Sequence, residues 1–198
     1  MDPHTGRFLC LPVAAGSWCF TVQNGGIIMS PRVALPVSIG LLGGIDVLLF
    51  AHFALPSWAG LIAMAAVLQA GGDTPALKRV MLGSAFGAVC AWVAALIFLS
   101  FGLTGVTEKL FAGAAVIGAV MIGMSLVANL KPFSGAPFSL FGYAATWAYI
   151  VQTPGAESQG NLTHPTGDNA LLAVLLCMWG GALFGLAAVK LAGVLSKG

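Results

Sequence analysis

Asp46 is the residue whose type and position point most directly to chemistry. It lies in the middle of an apolar run, residues 33–53. A charge at the centre of a membrane helix costs about 2.5–3.5 kcal/mol on insertion scales, so such acids usually face a bundle interior or a cavity. Asp46 could therefore relay a proton or coordinate a cation; the alternative is a protonated acid that only hydrogen-bonds to a neighbouring helix. His52 lies about 240° further round the helix, so we do not expect it to form a relay with Asp46.

Two short apolar segments, residues 55–69 and 137–151, are the second candidate. Both have a proline near their start and an early glycine. Short segments interrupted by Gly or Pro at matching places in two halves are the best sequence pointer to a transporter site, and a water-filled passage would satisfy the backbone groups that such breaks expose. The alternative is a pair of short tilted helices, with Trp58 as an interface anchor. On the first interpretation the pathway is lined by Asp46, Ser57, Trp58, Gly60, Ser139, Gly142 and Tyr143.

The composition indicates a membrane protein whose main partner is the lipid bilayer. Of 198 residues, 59% are hydrophobic and 7% are charged, which is too apolar for one soluble core of this size. The net charge of +2 and the lack of a basic stripe argue against nucleic acid. No Cys-x-x-Cys pair or Cys/His cluster indicates a metal, and no nucleotide fingerprint or nucleophile–base set is present. We therefore expect no metal, no cofactor and no enzyme.

Segments of different length follow one another in a repeated order. Four runs are long enough to span a bilayer and the two short ones separate them, so the order long, short, long occurs twice. Short sequence matches accompany this order: Gly83–Gly87 (GSAFG) resembles Gly181–Gly185 (GALFG), and Ile39-Gly40 recurs as Ile117-Gly118. We predict an all-α polytopic membrane protein with six transmembrane helices in two inverted three-helix repeats. The membrane domain is residues 33–195, with repeats at 33–101 and 110–195.

The basic residues predict how the helices are oriented. If all six segments cross and the N-terminus is inside, Lys109 is the single basic residue outside, and seven are inside: Arg7, Arg32, Lys78, Arg79, Lys131, Lys190 and Lys197. If the short segments were re-entrant, five basic residues would lie inside and three outside. The positive-inside rule favours six crossings with both termini in the cytoplasm.

Three glycine pairs with G-x-x-x-G spacing predict close helix packing and also allow a homo-oligomer. They are Gly40/Gly44, Gly83/Gly87 and Gly181/Gly185. Residues 1–32 form a leader that we expect to be interfacial or disordered; the alternative is a start codon assigned upstream of Met29, because Met29-Ser30-Pro31-Arg32 reads like a fresh start.

Parts of the sequence resemble a bacterial inner-membrane family, catalogued as domain of unknown function 1097. The resemblance rests on Ser57-Trp58-Ala59-Gly60, on Phe138–Ala148 and on Gly180–Gly185, and it covers roughly residues 35–192. The leader and the Thr153–Asp168 loop depart from the family's pattern. The resemblance implies a small polytopic protein of the bacterial inner membrane and brings no substrate or catalytic residue.

These observations predict a channel or secondary transporter for a small uncharged or weakly acidic solute, because few fixed charges are available for a strongly charged one. The alternative is a non-transport scaffold or assembly subunit that binds a partner through its glycine-rich helix faces.

Overall fold

Helices make up most of the structure, which is a computed structural model. It describes residues 7–13, 16–23, 26–102, 110–130, 136–156, 158–164 and 169–197. Its helices are α1 (Pro31–His52), α2 (Ser57–Gln69), α3 (Thr74–Ser100), α4 (Leu110–Ala128), α5 (Ala136–Gln152), α6 (Gln159–Thr163) and α7 (Ala170–Lys197).

Local chemistry explains where several of these helices begin. Pro31 opens α1, where its missing N–H would have no intrahelical partner. Asp73 caps α3 by accepting a hydrogen bond from Ala76 N at 2.7 Å. The turn before it requires glycine, since Gly71 and Gly72 have φ values of 116° and 68°. A sharp turn therefore returns the chain from α2 to α3.

Helix length separates two groups of segments. The helices α1, α3, α4 and α7 are long and apolar enough to cross a membrane, so the chain is a multi-pass membrane protein. The intervening α2 and α5 have 13 and 17 residues and span about 20 Å and 26 Å, against about 30 Å of hydrocarbon. The order long, short, long is therefore seen twice, whereas length alone supports four crossings rather than the six that we predicted.

Small side chains bring the helices together. The main cluster of buried residues is rich in alanine and includes Ala59, Ala63, Ala173 and Ala182. The closest helix pairs are α3 with α5, α2 with α7, and α1 with α7. Each short helix therefore packs mainly against a long helix of the other half of the sequence.

The leader contains strands that the sequence did not lead us to expect. Strands β1 (Arg7–Val13), β2 (Gly16–Gln23) and β3 (Gly26–Met29) form an antiparallel sheet in the order β1-β2-β3. Arg7 pairs with Val22, and Phe20 pairs with Met29. The physical signal was available: glycine at Gly16 and Gly26 separates runs rich in β-branched and aromatic residues. We predicted an interfacial or disordered segment because no strand pairing was considered for this stretch.

Candidate functional site

The carboxyl group of Asp46 is buried inside the helix bundle. The side chain is 0% exposed, and neither carboxylate oxygen has a hydrogen-bond partner in the part of the chain that the structure describes. Buried polar groups are normally paired, so an acid in this state is a candidate functional site.

The surroundings of Asp46 come from three helices. A Cβ on Gly60 of α2 would lie 2.7 Å from both Asp46 Oδ1 and Oδ2, so the α2 backbone lies directly against the carboxyl group. Helix α7, which contains the buried Cys177, packs against both α1 and α2. The acid therefore lies in a region built from α1, α2 and α7, with a glycine directly against its carboxyl group.

Physical chemistry limits what this carboxyl group can be. An isolated ionised carboxylate is very unfavourable in an apolar interior, so the group is stable there when it is neutral or when a cation accompanies it. The site is therefore suited to taking up and releasing a proton or a small cation, and it is unsuited to holding a permanent charge.

A second set of buried polar side chains lies on α5. Ser139 and Tyr143 are 0% and 3% exposed, and neither Ser139 Oγ nor Tyr143 Oη has a hydrogen-bond partner among the residues that the structure describes. Trp147 Nε1 is also buried without one. Because these residues are spaced by four, they follow one face of α5.

Two close helix crossings position the polar groups. A Cβ on Gly87 of α3 would collide with the backbone carbonyl of Ser139, and one on Gly142 of α5 would collide with the carbonyl of Ser84. At the other crossing, a Cβ on Gly181 of α7 would collide with the carbonyl of Gly60 of α2. Only glycine allows backbones to approach this closely, as is common where membrane helices cross.

The predicted pathway residues fall into separate groups. Asp46 and Gly60 touch each other, whereas Ser139, Gly142 and Tyr143 lie on α5. Ser57 and Trp58 are half-buried at the start of α2, and Trp58 packs against the main cluster of buried residues. His52 is exposed and contacts the Phe53 ring edge to face, with ring centroids 5.2 Å apart.

The sequence analysis missed one residue of these sites, Trp147, because it was treated only as part of an apolar helix. The spacing of Trp147 from Tyr143 was a usable signal, because residues four apart share a helix face.

The three glycine pairs have different surroundings. A Cβ on Gly83 would lie 2.6 Å from Phe138 Cβ, and one on Gly185 would lie 3.0 Å from Met64 O, so these glycines lie at crossings as Gly87 and Gly181 do. Gly40 and Gly44 are both exposed, and a Cβ on either would meet open space, so the packing predicted for this pair is not made with the described helices. They lie on the face of α1 opposite Asp46, away from the described helices.

Metal binding has no obvious location in the part of the chain that the structure describes. Its His, Cys, Asp and Glu residues form no group of three that could hold a metal ion.

The long apolar helices and the buried acid define a helical, multi-pass membrane protein. The chain belongs to the family described as protein of unknown function (DUF1097), whose model matches residues 36–193. Neither a curated protein nor a solved structure matches it.

Proposed function

We propose that the protein is a channel or secondary transporter for a small uncharged or weakly acidic solute, without enzymatic activity. The observation that carries the proposal is Asp46, a fully buried acid inside a membrane-spanning helix. Neither of its carboxyl oxygens has a partner among the described residues. Intramembrane acids in this state mark proton relays and ion or substrate pathways. The proposal places the protein in the bacterial inner membrane with both termini in the cytoplasm.

The architecture we propose has six crossings, including the two short helices. The Lys and Arg count of seven against one supports it, because crossing by α2 and α5 keeps Lys78, Arg79 and Lys131 on the cytoplasmic side. A short helix can cross within a bundle when longer neighbours surround it and the bilayer thins locally.

The packing supports an inverted repeat within this architecture. Each short helix crosses the last long helix of the other half at glycines, α5 on α3 and α2 on α7. The matching GSAFG and GALFG motifs align Met81 with Trp179, and Trp179 Nε1 donates a 3.2 Å hydrogen bond to Met81 O. Contact between aligned residues is expected beside a two-fold axis that relates the halves.

Solute flux into proteoliposomes tests the proposed function. Purified full-length protein is reconstituted, and entry of glycerol, urea, acetamide and acetic acid is followed by light scattering. Faster entry of at least one solute than in protein-free liposomes is expected. Entry at the protein-free rate for every solute would contradict transport of this class.

One observation favours a second candidate, a scaffold that binds a partner helix. Gly40 and Gly44 form an open G-x-x-x-G face on α1, where large apolar residues such as Leu41 and Leu48 are also exposed. A partner helix could pack closely there, although lipid also covers such a face. Purification of a defined partner with the protein, together with an absence of flux, would favour the scaffold.

A further inference from the structure

We infer that the inner face of α5, formed by Ser139, Tyr143 and Trp147, binds a small neutral molecule through an oxygen acceptor. This inference rests on the proposed function and names the solute class and the residues that hold it.

Unused hydrogen-bonding capacity is the first argument. Ser139 Oγ, Tyr143 Oη and Trp147 Nε1 are all buried, and none has a hydrogen-bond partner within the described ranges. Leaving one such group unpaired costs about 1–3 kcal/mol, so several on one helix face indicate a ligand that pairs with them.

The second argument is that two of these groups lie beside each other. Tyr143 and Trp147 are one helix turn apart, and their ring centroids are 6.5 Å apart. Among the described residues, neither the tyrosine hydroxyl nor the indole N–H has a partner in hydrogen-bond geometry. A ligand oxygen beside both could accept from the indole N–H and from the tyrosine hydroxyl at once.

The third argument concerns the apolar part of the ligand. The ring of Phe98 packs edge-on against Trp147, with centroids 5.1 Å apart. Tyr143 also forms a buried cluster with Ala91 and Met124, and Met121 packs against that cluster. Aromatic rings and methionines adapt to a short apolar body, whereas the three polar groups fix its orientation.

The side chains around this face favour a neutral ligand over a charged one. The hydrophobic side chains that pack against the Tyr143 cluster include Phe86, Cys90, Ile117 and Val120. Aligning Ile39-Gly40 with Ile117-Gly118 places Met124 where the first half has Asp46. An apolar lining of this kind favours a neutral ligand, because an isolated charge is very unfavourable against it.

Hydrogen-bond type narrows the class further. The indole N–H can only donate, and the two hydroxyls can donate or accept. The face thus suits a carbonyl, hydroxyl or uncharged carboxyl oxygen. Acetamide has this chemistry, and acetate and acetamidinium are planar molecules of similar size with charges of −1 and +1.

The test measures binding and flux of these three probes with the full-length protein. Saturation-transfer NMR on lipid nanodiscs reports binding, and proteoliposome light scattering reports flux. Acetamide should bind in preference to both ions. Tyr143→Phe removes one hydroxyl and should weaken acetamide binding about fivefold, the effect of one hydrogen bond. Trp147→Phe is a second variant that removes the N–H and should weaken binding by a similar factor.

Tyr149→Phe is the matched control, because it removes a hydroxyl from a buried position on the same helix, away from this face. It should bind acetamide within about twofold of the unchanged protein. The inference would be overturned if both Tyr143→Phe and Trp147→Phe bound acetamide as well as the unchanged protein does. It would also be overturned if the unchanged protein preferred either ion or did not bind acetamide.

The two readouts separate this inference from the proposed function. Acetamide binding that weakens in Tyr143→Phe without any flux would contradict transport and leave the binding site supported. Acetamide flux that is the same in Tyr143→Phe, Trp147→Phe and the unchanged protein would support transport and overturn the site.

Discussion

The carboxyl group of Asp46 lies against Gly60, so closely that a Cβ at position 60 would be 2.7 Å from each carboxyl oxygen. The other side of the same α2 turn meets α7, where Gly181 packs against the Gly60 carbonyl. Gly60 thus lies between the buried acid and the helix crossing. The carboxyl group of Asp46 requires that position 60 carry no side chain, and the Gly60 carbonyl requires the same of position 181.

Gly60→Ala should destabilise the protein, and removal of the Asp46 side chain should restore most of the loss. The added methyl group collides with the carboxyl group, and overpacking of this kind costs about 1–3 kcal/mol. In the double variant with Asp46→Ala, the space left by the carboxyl group accommodates the methyl group. Thermal unfolding of the four proteins in detergent gives the coupling free energy.

Two matched variants control this cycle. Gly181→Ala collides with backbone, so Asp46→Ala should not rescue it. Gly44→Ala meets open space on the same helix as Asp46, and its stability should stay the same or rise by less than about 1 kcal/mol. Equal rescue of Gly60→Ala and Gly181→Ala would show that the contact between Asp46 and Gly60 is not the cause.

Asn169→Ala should loosen the start of α7 and the α6 segment together. Asn169 Oδ1 accepts hydrogen bonds from Leu171 N and Leu172 N, and its Nδ2 donates to Leu162 O and His164 O. Loss of such a cap costs about 0.5–2 kcal/mol, which thermal unfolding detects. Asn129→Ala, at an exposed position after α4, should change stability by less than about 0.5 kcal/mol.

The helices could be predicted from sequence because membrane segments are marked by runs of apolar residues. The segment predicted at 137–151 corresponds to Ala136–Gln152, and that at 55–69 to Ser57–Gln69. Helix α3 begins at Thr74, and its first turns carry Lys78 and Arg79. A segment chosen by hydropathy leaves those charged turns out, although they are helical and follow the Asp73 cap.

The neighbours of each helix could not be predicted in the same way. A G-x-x-x-G pair indicates that another helix can pack closely against this one, but it does not indicate which helix that is. Gly83 and Gly87 meet α5, whereas Gly40 and Gly44 face outward. Which faces meet depends on the packing of distant segments, so the contacts of Asp46 with Gly60 and of Trp147 with Phe98 were also beyond the sequence.

Replacement of the outward glycines separates transport from the scaffold alternative. The double change Gly40→Leu and Gly44→Leu should leave stability and solute flux unchanged, since a Cβ at either position meets open space. The control, Gly83→Leu with Gly87→Leu, collides with α5 and should prevent stable folding. Loss of a co-purified partner from a stable Gly40→Leu/Gly44→Leu variant, with no flux in either protein, would favour the scaffold.

Reporter fusions test the six-crossing architecture. Fusions at Gly72, Gly105 and Gly160 should report cytoplasmic, external and external locations, because the basic residues concentrate in the segments that this arrangement places inside. A re-entrant α2 would instead make Gly72 external. A cytoplasmic signal at Gly160 would contradict the architecture.

The titration of Asp46 is tested by Asp46→Asn, which keeps the shape of the side chain and removes its ability to ionise. If the acid takes up and releases a proton during transport, flux should depend on pH in the unchanged protein and lose that dependence in the variant. The variant should still fold and insert, since an amide replaces a neutral acid at little cost. Asp73→Asn is the control, because asparagine also caps helices and position 73 is exposed. If flux responds to pH equally in the unchanged protein and in Asp46→Asn, Asp46 is a structural acid, and the proton-coupled form of the proposal is wrong.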